Sequence, residues 1–139
     1  MYNVYMKFSA EQFEKFEAQA GRTTPYVTFD LNARLYFSSA ATKMAGISHA
    51  TYKSAELLFN VKEQVIALKL LNEHIDGALP IKIPQQGGAF IIAKAFAFKY
   101  EMMSGEKLSE IYNGKYLLEK GEIEGVGEIF FINLRQKKS

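Results

Sequence analysis

The second half of this chain loosely repeats its middle, and that repetition constrains the fold more tightly than any motif does. Arg34-Leu-Tyr-Phe-Ser38 leads into the small-residue run Ser39-Ala-Ala-Thr-Lys-Met-Ala45, and after Ile47 come two apolar runs, Tyr52–Phe59 and Val65–Leu71. The order then returns. Ala89-Phe-Ile-Ile-Ala-Lys94 leads into Ala95-Phe-Ala-Phe-Lys-Tyr-Glu-Met102, followed by Lys115–Leu118 and Glu128–Leu134. Strand, short helix, strand, strand occurs twice. This predicts a single α+β domain over residues 1–139, mostly antiparallel sheet or barrel. Two β-α-β-β pseudo-repeats span 26–71 and 89–134, with 72–88 as linker and a basic tail at 135–139.

Local patterns supply the remaining elements. Ser9–Ala20 reads as an N-terminal helix: Ser9 is a cap, Gln12 holds the capping-box position, and Phe13, Phe16 and Ala20 share one face. Its apolar face is expected on the sheet, the alternative being a partner-binding arm. In Tyr26–Leu31, Val27, Phe29 and Leu31 alternate with polar-edged neighbours, and Asn32-Ala33 turns the chain directly into Arg34–Ser38. Ser38 or Ser39 caps a helix over Ala40–Ala45 that Gly46 ends. Tyr52–Phe59 and Val65–Leu71 make a second hairpin. Ile81-Lys-Ile83, between Pro80 and Pro84, predicts a short edge strand. Residues 89–94 read as a strand and 95–102 as a helix with Phe96 and Tyr100 at i, i+4. Gly121, Gly125 and Gly127 predict a turn before the closing strand.

At 139 residues the chain can bury a core without metal or disulfide staples. It has no cysteine, hence no thiolate chemistry, which suits the cytoplasm. No run approaches the roughly 20 apolar residues that span a bilayer. The opening Met-Tyr-Asn-Val-Tyr-Met-Lys-Phe lacks the pattern of a secretory signal, so no membrane partner is expected. Catalysis is poorly provided for. Of the two histidines and two aspartates, His49 falls in a turn, His74 and Asp76 in the linker and Asp30 on the strand run 26–31, without the orienting partner a general base needs. Neither paired-His nor Cys spacing suggests zinc, and Glu119, Glu122 and Glu124 lack a calcium loop around them. The expectation is a non-enzyme with no catalytic residues, cofactor or metal.

Charge and aromatic content point elsewhere. The net charge is only +2, but each repeat opens basic, with Arg34, Lys43 and Lys53 in the first and Lys94 and Lys99 in the second. The strands closing the second repeat are acidic. Scattered solvated lysines would give the same sums. Aromatic residues make up 14% of the chain, from 8 Tyr and 11 Phe with no Trp, and most are expected in the core, especially Phe29, Phe37, Phe59, Phe130 and Phe131. Tyr26, Tyr36 and Tyr52 interleave with cations on strands, a pattern that stacks bases and neutralises phosphates, although an aromatic core produces it too.

Two resemblances arise at these residues. Arg34-Leu-Tyr-Phe-Ser-Ser-Ala-Ala-Thr-Lys-Met-Ala-Gly-Ile47, followed by two strands, resembles the strand–helix–strand–strand unit of AbrB-type swapped-hairpin transcription factors. In the MraZ type, two such units occur in tandem within one chain. The resemblance covers 26–71 and 89–134 and implies an interlaced barrel with a basic, DNA-contacting face. Arg34 matches the basic residue opening the family's central strand, Lys94 lies at the corresponding place in the second unit, and Lys43 falls in the short helix. Ser38 stands where the family has proline. The whole chain also resembles small proteins of phages and prophages of Gram-positive bacteria, which implies a genome-handling or host-interacting role.

The sequence therefore predicts a non-catalytic, phage- or prophage-type nucleic-acid-binding protein, monomeric or homodimeric. Arg34, Lys43, Lys53, Lys94 and Lys99 are the candidate phosphate contacts, and Tyr36 or Tyr52 the candidate base contacts. The alternative is a protein-interaction module or inhibitor of a bacterial host enzyme. Its surface would be the acidic stretch Glu119, Glu122, Glu124 and Glu128.

Overall fold

A computed structural model of the protein describes residues 6–14 and 24–138. Its strands are β1 (Tyr26–Phe29), β2 (Arg34–Phe37), β3 (Ser54–Asn60), β4 (Val65–Leu71), β5 (Leu79–Lys82), β6 (Phe90–Ile92), β7 (Met103–Ser104), β8 (Lys107–Leu108), β9 (Gly114–Leu117), β10 (Glu119–Ile123) and β11 (Gly127–Asn133). Two short helices interrupt them, α1 (Ser39–Met44) and α2 (Lys94–Lys99). β7 and β8 pair only with each other; the other strands form one nine-stranded sheet in the order β10-β11-β4-β3-β5-β6-β2-β1-β9. Every pairing is antiparallel. The two ends of that order, β9 and β10, are separated in sequence by Leu118 alone, so the sheet curls into a nearly closed barrel. Closing a sheet in this way leaves few unpaired edges.

Period-2 alternation builds the core. Val27, Phe29, Leu35, Phe37, Ile91 and Tyr116 point inward and are fully buried, as are Ile66, Leu68 and Ile132 across the barrel. Burying side chains of this size contributes about 1.5–3 kcal/mol each. Burial, reinforced by the neighbouring Tyr112, pushes the Tyr116 hydroxyl up to about 12. That hydroxyl donates to the Tyr112 carbonyl oxygen at 2.6 Å.

The helices end as their residues dictate. Ser38 caps α1: its Oγ accepts from Ala41 N and also from Tyr26 N, both at 3.0 Å, which ties the helix start to β1. Removing such a cap costs about 1 kcal/mol. Gly46, at φ 70°, stops α1. In α2 the capping position is Ala93, without a side-chain hydrogen bond. That helix is anchored instead by buried Ala97 and by a ring cluster in which Phe96 and Tyr100 both meet Phe59, at 5.5 and 4.8 Å.

Three expectations change. The Ser9–Gln12 capping box forms, but around a single 3-10 turn at Ala10–Gln12. Phe13 is already extended and exposed, against Phe8 at 5.2 Å instead of the sheet. The rest of the expected helix, 15–20 with Phe16, lies outside the described residues. β5 is internal instead of an edge, because its first residues pair with β3 and its last with β6; Pro80 faces only Ser54 and owes no hydrogen bond toward β6. The glycine-rich stretch is mostly strand. β10 runs through Gly121, where a Cβ would sit 3.1 Å from the Phe131 ring, and only the turn at 124–126 separates it from β11.

Candidate nucleic-acid interface

The outer face of β5, β6, β2, β1 and β9 carries one continuous row of direct cross-strand partners. Lys82 faces Phe90, Phe90 faces Tyr36, Tyr36 faces Thr28, and Thr28 faces Lys115. Each residue follows from its strand's alternation, since its sequence neighbours Ile81, Ile91, Leu35, Val27 and Tyr116 fill the core. The result is cation, aromatic, aromatic, hydroxyl, cation.

The two rings at the centre are parallel, with centroids 5.8 Å apart and 2° between planes. Arg34 lies over Phe90 at 5.6 Å, and Lys115 lies over Tyr26 at 5.0 Å. Space at the Tyr36 hydroxyl is kept by Gly87, where a Cβ would lie 2.8 Å from it. Gly88 is required more strictly, because a Cβ there would overlap the Phe37 carbonyl oxygen. The close approach lets Ala89 O accept from Phe37 N at 2.8 Å, which extends the β2–β6 pairing that carries both rings.

The cations differ in what they are free to do. Arg34 Nε is committed to Asp30 Oδ2 at 2.9 Å, while Asp30 Oδ1 accepts from the backbone N–H of Asn32 and Arg34. Arg34 thus closes the β1–β2 turn as well as facing Phe90. Lys82 and Lys115 are exposed and, among the described residues, form no ion pair. Lys138 lies beside Lys115 through an isolated bridge, with Lys138 N donating to Lys115 O at 2.7 Å, so the basic tail joins this edge.

The residues singled out in the sequence are only partly gathered here. Arg34 and Tyr36 lie in or beside the row. Lys43 is on α1, which leaves the Phe37 end of β2. Lys94 and Lys99 are on α2, which leaves the Ala93 end of β6, at the opposite end of the antiparallel ribbon. Lys99 sits over Tyr100 at 5.4 Å. Tyr52 and Lys53 line a small pocket beside β5, together with Lys82. Phe90, Lys82 and Lys115 escape a reading by local motif, since what makes them a group is pairing between strands distant in sequence. The signal available was the alternation of Phe90 with Ile91.

The acidic residues occupy another wall. Glu122 and Glu128 are direct partners on β10 and β11 and both are exposed; Glu119 is half-buried on β10, and Glu124 is in the turn. Beside them the outer face of β3, β4, β11 and β10 forms an open groove of about 810 Å³, lined by Leu58, Val65, Ala67, Ile129 and Phe131, with Glu63 and Arg135 at its rim. Among the described residues, no cluster of three or more His, Asp or Glu is placed to hold a metal, and no helix is long and apolar enough to cross a membrane. The chain matches no family model, no curated protein and no solved structure in comparisons with each.

Proposed function

We propose that the protein binds nucleic acid without catalysis, laying a strand across the outer face of β5, β6, β2, β1 and β9. The observation that carries this reading is the row Lys82–Phe90–Tyr36–Thr28–Lys115, parallel rings between cations without ion pairs on one wall of the barrel. Base stacking on aromatic side chains is worth about 1–3 kcal/mol per base and tolerates any sequence. Two parallel rings give successive bases a common stacking orientation. The flanking lysines neutralise phosphates, and stacking on ring faces favours unpaired strands over a duplex, whose bases are already stacked.

The AbrB-like, two-unit reading draws support from matched hydrogen bonds. Phe37 N donates to Ala89 O at 2.8 Å and Ala93 N to Ala33 O at 2.9 Å, so β2 and β6 treat each other alike. Ile47 N to Thr42 O closes α1 as Met102 N to Ala97 O closes α2, at 3.0 and 2.8 Å. Glu101, at φ 58°, occupies the place after α2 that Gly46 holds after α1. A phage or prophage setting accords with a small binding protein of this kind.

The test is fluorescence anisotropy of labelled single- and double-stranded DNA at two salt concentrations. Micromolar or tighter binding to the single strand, weakening steeply with salt, is expected. Absent or salt-independent binding to both forms refutes the reading.

One observation favours a second reading, interaction with a host protein through the acidic wall. Glu122 and Glu128 face each other directly, an arrangement that costs stability and so suits a surface kept for binding. Charge reversal at both positions is expected to abolish capture of a basic partner if this reading holds.

A further inference from the structure

Beside β5 lies a pocket of about 220 Å³ whose polar lining is entirely of groups that are cationic or can donate hydrogen bonds: His49, Tyr52, Lys53, His74 and Lys82. No carboxylate lines it. We propose that this pocket is a phosphate-binding site and that the phosphate it takes belongs to the strand lying across the aromatic row, an inference that rests on the function proposed above.

The pocket's walls are held by hydrogen bonds within the β-ladder and beside it. Ser54, the buried polar residue at the start of β3, donates from Oγ to Glu73 O at 2.6 Å and so fixes the segment bearing His74. The backbone of Lys53 is clamped on both sides, with Lys53 N donating to Leu71 O at 2.8 Å and Lys53 O accepting from Ile81 N at 3.0 Å. Its Nζ donates to His49 O at 2.9 Å, which draws the ammonium over the pocket's loop and leaves its other protons for a ligand. The loop itself is stapled by Thr51, whose Oγ1 donates to Gly46 O at 2.7 Å and accepts from Ser48 N at 2.8 Å. Preorganised donors around a concavity bind an anion at little ordering cost.

Lys82 connects the pocket to the proposed interface. It lines the pocket and is the direct cross-strand partner of Phe90, which places its Cβ about 5 Å from that of the first ring. Among the described residues, Lys53 and Lys82 have no ion pair, so both charges are available. A phosphate held by Lys82 would lie beside the strand that carries Phe90, a placement suited to adjacent parts of one nucleotide chain.

The experiment titrates the full chain with inorganic phosphate at constant ionic strength, following the imidazole resonances of His49 and His74 by NMR. In parallel, anisotropy measures binding of a labelled single-stranded oligonucleotide. Saturable shifts at both imidazoles are expected, weakened about tenfold in Lys82→Gln and unchanged in Lys62→Gln, which lies in the β3–β4 turn. The oligonucleotide should compete with phosphate for those shifts. Absence of saturable shifts, or an equal response in Lys82→Gln, overturns the pocket while leaving the aromatic row to be judged by anisotropy alone. Phosphate binding without oligonucleotide binding overturns the strand as the source and the proposed function with it. Amide spectra of each variant report directly whether the fold is kept, because the substituted side chains are exposed.

Discussion

Across β5, β6, β2, β1 and β9 the outward row is Lys82, Phe90, Tyr36, Thr28 and Lys115, whereas across β3, β4, β11 and β10 it is Leu58, Ala67, Phe131 and Glu119. Both rows consist of direct cross-strand partners on one barrel, above cores packed by the same alternation. The first ends in exposed lysines, with its two rings half-buried between them. The second sinks into an apolar groove bordered by Glu63 and Glu122, with Arg135 drawn to Glu63 at 3.7 Å.

The strongest way to break the comparison is to remove what lets the first wall form. Gly88→Ala forces a Cβ into the Phe37 carbonyl and should cost about 3 kcal/mol or more in chemical denaturation, if the variant folds at all. Next comes Tyr116, buried beneath the first wall. Its hydroxyl is held protonated up to about 12 in the folded state against about 10 when unfolded. The stability this gives is complete below about pH 10 and is lost as pH rises through about 12, a fall of about 2–3 kcal/mol. Denaturation of Tyr116→Phe over the same range should lack that component of the fall.

Smaller changes sharpen the contrast between the faces. Tyr36→Ala and Phe90→Ala should each weaken oligonucleotide binding by about 1–3 kcal/mol in anisotropy titrations, while Phe131→Ala on the other wall leaves it unchanged. Lys82→Gln and Lys115→Gln should each lower the slope of log affinity against log salt by about 0.7. The smallest effect is Glu128→Gln. Relieving its opposition to Glu122 should stabilise the hairpin by a few tenths of a kcal/mol in thermal melts.

Local chemistry was legible in the sequence where neighbours along the chain decide the structure. The β1–β2 turn at Asn32-Ala33, the Ser38 cap, the Gly46 stop and the Phe96–Tyr100 pair are all contacts within a few residues. The apolar alternation of β1 likewise placed Val27 and Phe29 inward, although Leu31, expected on the same face just beyond the strand, is exposed. What the sequence concealed is set by pairing at long range. β10 reads as a glycine-rich turn because Gly121 makes room for Phe131, a residue on the facing strand. β5 reads as an edge because its prolines hide a strand that changes partners midway. Of the candidate site, Arg34 and Tyr36 were visible as an aromatic–cation pattern on one strand. Lys82, Phe90 and Lys115 were not, since they lie on three other strands brought beside it by the closing of the sheet.

The most direct test of the central claim is an amide NMR map of the protein titrated with an unlabelled single-stranded oligonucleotide at low salt. The account predicts progressive shifts at Thr28, Tyr36, Lys82, Phe90 and Lys115, with Leu58, Ala67 and Phe131 unmoved. Shifts confined to the groove wall, or none on either face, would contradict it.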